Sequence, residues 1–510
     1  MTETVLSNAS SSPANDTAGN DAPPFTIEAI DCFERDVRLR MPFRFGIVTL
    51  TAAPQAFVRA TIRLADGRTA TGMAAELLAP KWFDKNPELT NEQNFEQLRN
   101  AIRLARAAYL DGQSRSAFGH FHAHYRSQID QAAAHGLNAL VANFGPALID
   151  RALLDALLRS AGVSFAEGIR RNLPGIAVTD LTPDLEGFDL SAFLAGLRPR
   201  DDIAARHTVG LVDPITAADQ TARVDDGLPE TLEEVVQTYG HRWFKLKVAG
   251  DVDADVERLT RIASVLDRIE APYYSTLDGN EQYSDIGGVL VLWERMKATP
   301  ALARLVDSIV FFEQPIKRQS ALAADVADLA AVKGVIIDES DDGLDAFPRG
   351  RDKGYTGVSS KTCKGFYKSL LNRARCVAWN RARGLTDEPG SAAGGFPEGG
   401  YLMSAEDLTI QAGLALQQDL ALVSLMGIRH IERNGHHYVN GMADLSAAEQ
   451  EAFLTAHPDL YERSHGAVRL RIRDGRIAIG SLTSPGFASG AEPDWSGMKP
   501  IPPSLTLRPL

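Results

Sequence analysis

Between residues 207 and 428 short apolar segments alternate with helical stretches, and this alternation restricts the fold more than any other feature of the chain. Segments with strand character lie at 207–212, 243–248, 273–277, 308–312, 334–337, 357–360, 401–404 and 421–428. Most are separated by stretches of helical periodicity, such as 253–269 and 366–383. Parallel strands need long crossover connections, so eight such repeats predict a (β/α)8 TIM-type barrel. A doubly wound open sheet is the rival, but no Gly-x-Gly-x-x-Gly run or phosphate-binding loop opens a helix. The Gly- and Pro-rich run 384–400 is expected to be a long loop before the seventh strand.

Ahead of the barrel, residues 25–62 alternate apolar and polar side chains, and Asp66-Gly67 is a turn signal, which predicts a small antiparallel sheet. Helical periodicity over 91–110 and 142–161 completes an α+β domain, while 170–205 is poorly patterned. The segment Met41-Pro42-Phe43-Arg44-Phe45-Gly46 reads as a loop whose Phe43 and Phe45 suit either the core or a lid over an apolar ligand cavity. After residue 463 strand character returns around Asp474-Gly475, as a hairpin expected to rejoin the first domain. The resulting plan is a disordered polar tail (1–24), a capping domain (25–145), the barrel (146–445) and a C-terminal segment returning to the capping domain (446–510). The tail has neither the basic start nor the apolar stretch of a signal peptide.

Composition removes several function classes. The formal net charge is −13, without a basic stripe, which disfavours a nucleic-acid partner. No long apolar run predicts a membrane span. Cys32, Cys363 and Cys376 form neither a ligand pair nor a disulfide framework, as in a reduced cytoplasmic protein, so structural zinc is not expected.

Five consecutive strands end in charge: Lys245 and Lys247, then Asp278, Glu313, Asp338 and Lys361. Alone, each reads as a helix cap or an edge-strand charge. In a barrel these ends converge on one mouth. Three carboxylates there would repel one another unless protonated or bridged by a cation, and hard oxygen ligands suit Mg2+, with Mn2+ also possible. Lys245 and Lys247, two residues apart, share one face of their strand, and their mutual repulsion is expected to lower their pKa. Lys247 and Lys361 would then flank a bound substrate from opposite walls, the arrangement needed to remove a proton alpha to a carboxylate beside a Lewis acid.

At these residues the chain resembles the enolase superfamily, in particular its muconate-lactonising and mandelate-racemase-like branch. The resemblance rests on Lys-x-Lys, Asp-x-Asn, Glu-Gln-Pro, Asp-Glu and Lys-x-x-Lys in that order, and extends from residue 25 to Ser484-Pro485-Gly486-Phe487. It implies Asp278, Glu313 and Asp338 as Mg2+ ligands, Lys247 and Lys361 as the acid/base pair, and Lys245 tuning Lys247 or contacting the substrate carboxylate. Phe43, Phe45 and Glu406 are the candidate substrate contacts. The expected activity is that of a racemase, epimerase or cycloisomerase, with a dehydratase, a Schiff-base aldolase and a non-catalytic binding protein as alternatives. Expected partners are a small-molecule carboxylate and further copies of the chain in a homo-oligomer. The sequence also departs from its relatives: strand eight lacks the Asp-x-Asp of dipeptide epimerases, and strands six and seven lack the His-Asp pair of acid-sugar dehydratases. Asn434-Gly435-His436-His437-Tyr438 reads as a surface turn, with a substrate contact as the sharper alternative.

Overall fold

The computed structural model describes residues 22–45, 48–386, 397 and 399–505. Residues 1–21 of the expected tail, and 387–396 and 398 of the expected loop, lie outside the described residues. The chain opens with an antiparallel sheet of β1 (Phe25–Phe45), β2 (Val48–Leu64) and β3 (Thr69–Leu77). Pairing of β1 with β2 continues to Phe45 and Val48, so residues 41–45, expected in a loop, are the end of a long hairpin. The register shifts between Arg38 and Phe43, an irregularity of the kind that bends a strand, and this separates the end from the regular ladder of the sheet.

Three helices cover the sheet: α1 (Asn91–Tyr109), α2 (Ala117–Ala134) and α3 (Ala139–Ala161). Their starts are set by side-chain caps, a Thr90/Gln93 capping box, Ser116 and Asn138. Helix α3 is buried on nearly all sides, because β3 packs against one face and α1 against another. A Cβ on Gly72 of β3 would lie 2.1 Å from the Ala156 nitrogen of α3, so only glycine permits this approach. Asp155 on α3 accepts hydrogen bonds from the backbone of Met73 (2.8 Å) and of Phe487 (2.6 Å), which ties the C-terminal segment to the capping sheet.

The barrel consists of β4 (Asp202–Val209), β5 (Trp243–Lys247), β6 (Tyr274–Asp278), β7 (Ile309–Glu313), β8 (Gly334–Ile337), β9 (Gly357–Ser360), β10 (Leu402–Asp407) and β11 (His430–Arg433). All eight are parallel, and β11 pairs with β4 to close the ring. One assignment differs from the sequence expectation. Residues 421–428 do not form strand eight; most of them belong to the helix Leu414–Leu425, buried all round, and the strand follows at His430–Arg433. A short run that is apolar but for Ser424 carries no periodicity that separates a buried helix from a buried strand.

The expected hairpin around Asp474-Gly475 is arranged differently. β12 (Tyr461–Ser464) pairs with β13 (Ala467–Leu470), while β14 (Arg476–Ala478) adds antiparallel to β4 of the barrel. β15 (Lys499–Pro500) joins β1 of the capping sheet. Among the described residues no helix is long and apolar enough to cross a membrane.

Candidate active site

Strand alternation places Trp243, Lys245 and Lys247 on one face of β5, directed into the barrel. Trp243 stacks on His430 of β11 (ring centroids 4.0 Å) in the lower barrel, and the two lysines rise toward the mouth. Register then aligns charge with charge: Lys247 is the cross-strand partner of Asp278, Asp278 of Glu313, and Glu406 of Glu432. Every one of these side chains except Lys247 is buried.

The cluster alternates in sign. Lys245 Nζ lies 2.5 Å from Glu432 Oε2, 2.8 Å from Asp278 and 3.1 Å from Glu313. Lys247 donates to Asp278 at 2.5 Å. Lys361 donates to both oxygens of Asp338 (2.8 and 2.9 Å) and to Glu406, and sits 4.9 Å over the Trp82 ring from the capping domain. Lys364 adds a contact to Asp338 at 3.4 Å.

These contacts reverse the expected lysine chemistry. Burial pushes the pKa of Lys247 down and the Lys245 charge adds to that, but Asp278 and Glu432 outweigh both and hold it above its usual value. Lys245 and Lys361 are likewise raised: burial opposes their charge, yet Asp278 and Glu313 at the first and Asp338 and Glu406 at the second prevail. Residues two apart on one strand reveal the like charges, whereas the opposite charges come from neighbouring strands.

The carboxylates divide into two groups. Burial opposes ionisation of Asp278 and Asp338, but the lysines on each keep them below the usual carboxylate range. Glu313 is raised by burial, and Glu406 is pushed to about 8 by burial and by Glu432 beside it. Neither Glu313 oxygen makes a hydrogen bond, although Lys245 is an ion-pair neighbour of one of them. Oxygens of Glu313, Asp338 and Glu406 lie within 4.8 Å of one another. A buried carboxylate without hydrogen bonds, among other hard oxygen donors, fits a Mg2+ or Mn2+ ion. Asp278, expected with Glu313 and Asp338, is the cross-strand partner of Glu313 and carries Lys245 and Lys247, and Glu406, expected as a substrate contact, lies in the acidic group.

Above the charges lies a cavity of about 230 Å3. Phe43, Leu50, Trp82, Val212, Leu408 and Ile410 supply apolar wall, and Lys245, Lys247, Asp338, Glu406 and Glu432 the polar floor. Phe43 packs on Tyr438 (4.5 Å) across the rim, whereas the Phe45 side chain lies outside the described residues. Asn434 also lines the cavity, and the segment expected as a surface turn is buried as the helix Gly435–Tyr438, held by Arg40 on the His437 carbonyl and Arg469 on that of His436. The sequence does not single out Glu432, because the apolar run 421–428 reads as strand eight; Gly427, left-handed at φ 74° just past the preceding helix, is the stop signal that puts the strand after it.

The sequence matches no protein-family model and no curated protein. Solved structures match in shape over nearly the whole chain. It is similar to the L-Ala-D/L-Glu epimerase from Bacillus subtilis (16% identity, TM-score 0.52, covering 92% of this chain and 99% of the other). It is similar to a muconate lactonizing enzyme from Pseudomonas fluorescens complexed with muconolactone (18%, 0.55, 93% and 97%). It is also similar to an enolase from the alpha proteobacterium BAL199 with bound Mg (14%, 0.55, 92% and 97%). The chain thus has the enolase-type fold, a (β/α)8 barrel with an N-terminal antiparallel capping domain.

Proposed function

We propose that this protein is a Mg2+-dependent enzyme of the enolase superfamily that removes the proton alpha to a carboxylate of a small molecule, as a racemase, epimerase or cycloisomerase. One observation carries this reading: lysines from β5 and from the end of β9, on opposite walls of the barrel, each rest on an acidic group below one cavity. Asp278, Glu313 and Asp338 would hold Mg2+, or Mn2+, with Glu406 within reach of the last two. Bound there, the ion would supply the positive charge that the carboxylates now draw from lysines and would stabilise charge developing on the substrate carboxylate.

The chain's own groups do the rest. Lys247, the more exposed of the two, would take the alpha proton in its neutral form, and Lys361, clamped on Asp338, would hold or return one from the other face. Trp82 and the capping wall keep water from that carbon. A Schiff-base aldolase would use one of these lysines as nucleophile and would leave the buried acidic group without an ion to hold, so the acidic group favours the metal-dependent reading.

The test is a screen of carboxylic acids for exchange of the alpha hydrogen in deuterated water. Exchange should require Mg2+ and stop on dialysis against EDTA; full exchange by the stripped protein refutes the proposal. The apolar wall favours a substrate with a hydrophobic portion. Phe43→Ala should therefore raise KM about tenfold, the effect of roughly 1–3 kcal/mol of lost apolar contact, with little change in Mg2+ affinity. A collapse of Mg2+ affinity would instead make Phe43 part of the structural core.

A further inference from the structure

On the outer face of β4, away from the barrel interior, four histidines meet in a buried pocket. Arg206 and Thr208 point inward, to His430 and Glu432, so His207 between them points outward. It faces His241, just before β5, and His436 of the helix Gly435–Tyr438, with ring centroids 5.5 and 5.3 Å away. One nitrogen from each of His207, His241 and His436 lies within 4.8 Å of the others. His437 stands 5.2 Å from His207, ring to ring.

Three features of this group point to a ligand. His241 Nε2 and His436 Nε2 are 3.2 Å apart, a hydrogen-bond distance that also matches the about 3.3 Å between two nitrogens bound 2.0–2.1 Å from one tetrahedral ion. His241 Nδ1 lies 2.9 Å from the Ala205 carbonyl, so that nitrogen donates and Nε2 is left with its lone pair toward the cluster, the outer support that metal-binding histidines use. The buried Nδ1 of His207 makes no hydrogen bond, which leaves that ring a nitrogen free to bind an ion. Burial also keeps all four rings neutral at ordinary pH, the form that binds metals.

We propose that His207, His241 and His436 form a structural site for a borderline transition-metal ion, Zn2+ foremost, that fastens the segment before β5 and the helix after β11 to the outer face of β4. Imidazole donors without a carboxylate select Zn2+, Ni2+ or Cu2+ over Mg2+, so the site is chemically separate from the acidic group in the barrel mouth. Cysteine spacing argued against zinc, but histidines at 207, 241 and 436 are too far apart in sequence to form a motif.

The test uses the full chain, stripped with a chelator and titrated with Co2+ in a large excess of Mg2+, which fills oxygen sites. One equivalent should give the strong visible bands of a low-coordinate nitrogen site, and Zn2+ should erase them. Zn2+ should also raise Tm by about 3 °C or more, since it binds only the folded state. His241→Ala and His436→Ala should lose both responses, whereas Asp338→Asn should keep them. Absence of strong bands in the wild-type protein overturns the proposal even if the histidine variants do not fold. Bands that survive His436→Ala, or that vanish in Asp338→Asn, overturn it too by assigning the ion elsewhere.

Discussion

On the proposed reaction, replacing Lys247 with alanine should lower turnover by about 10²–10⁴-fold, the usual contribution of a positioned acid or base, and leave the fold intact. Lys247 is the most exposed of the site lysines and has Asp278 as its hydrogen-bond partner, which keeps a second cation in Lys245. Lys361→Ala should cost as much activity, and stability besides, because the Lys361 side chain is fully buried and its loss leaves Glu406 without its closest cation. The informative measurement is alpha-hydrogen exchange with each enantiomer of a substrate. In a two-base reaction the variants lose exchange from opposite enantiomers, since each lysine serves one face. That outcome makes racemisation or epimerisation the reaction, the one the opposed lysines permit most directly. Retained exchange from both enantiomers after Lys361→Ala defeats the two-base scheme and leaves Lys247 as a sole base starting an elimination or ring closure.

Much of this site is legible in the sequence because a parallel barrel brings every strand's C-terminal end to one mouth. Lys247, Asp278 and Glu313 end their strands and pair directly in register, and Asp338 follows its strand by one residue. What the sequence hides depends on contacts between strands. The raised lysine pKa values come from carboxylates on other strands, so a Lys-x-Lys run considered alone predicts the wrong direction. Glu432 escapes because 421–428, which includes the end of the helix Leu414–Leu425, is almost as apolar as a buried strand. His436 and His437 look like turn residues until Arg40 from the capping hairpin and Arg469 from β13 close over them.

The joint between cap and barrel yields the largest stability effect. Arg151, on α3, is fully buried and pairs with Glu76 of β3 at 3.1 Å. It also donates to Thr362 Oγ1 (3.0 Å), next to Lys361, and to Gln418 (3.1 Å) on the helix Leu414–Leu425. One side chain thus joins the capping sheet, the segment bearing Lys361 and a barrel helix. Arg151→Ala leaves a buried carboxylate without its cation, an expected loss of about 3–5 kcal/mol. The loss should depend on pH. Burial raises Glu76 to about 7 even with Arg151 present, above its ordinary value of 4.5. Its ionisation therefore costs the folded state stability as pH rises from the lower value through the higher. Removing Arg151 raises the folded pKa further and steepens that cost. At about pH 5 Glu76 is largely protonated with or without Arg151, and only the arginine's other hydrogen bonds are lost; at about pH 8 the wild-type pair is ionised and the variant must keep its proton or bury a bare charge. Denaturant unfolding at the two pH values should show the gap widening with pH, and adding Glu76→Gln to the variant should narrow it. A gap independent of pH would mean that Arg151 acts through its neutral hydrogen bonds and packing rather than through Glu76.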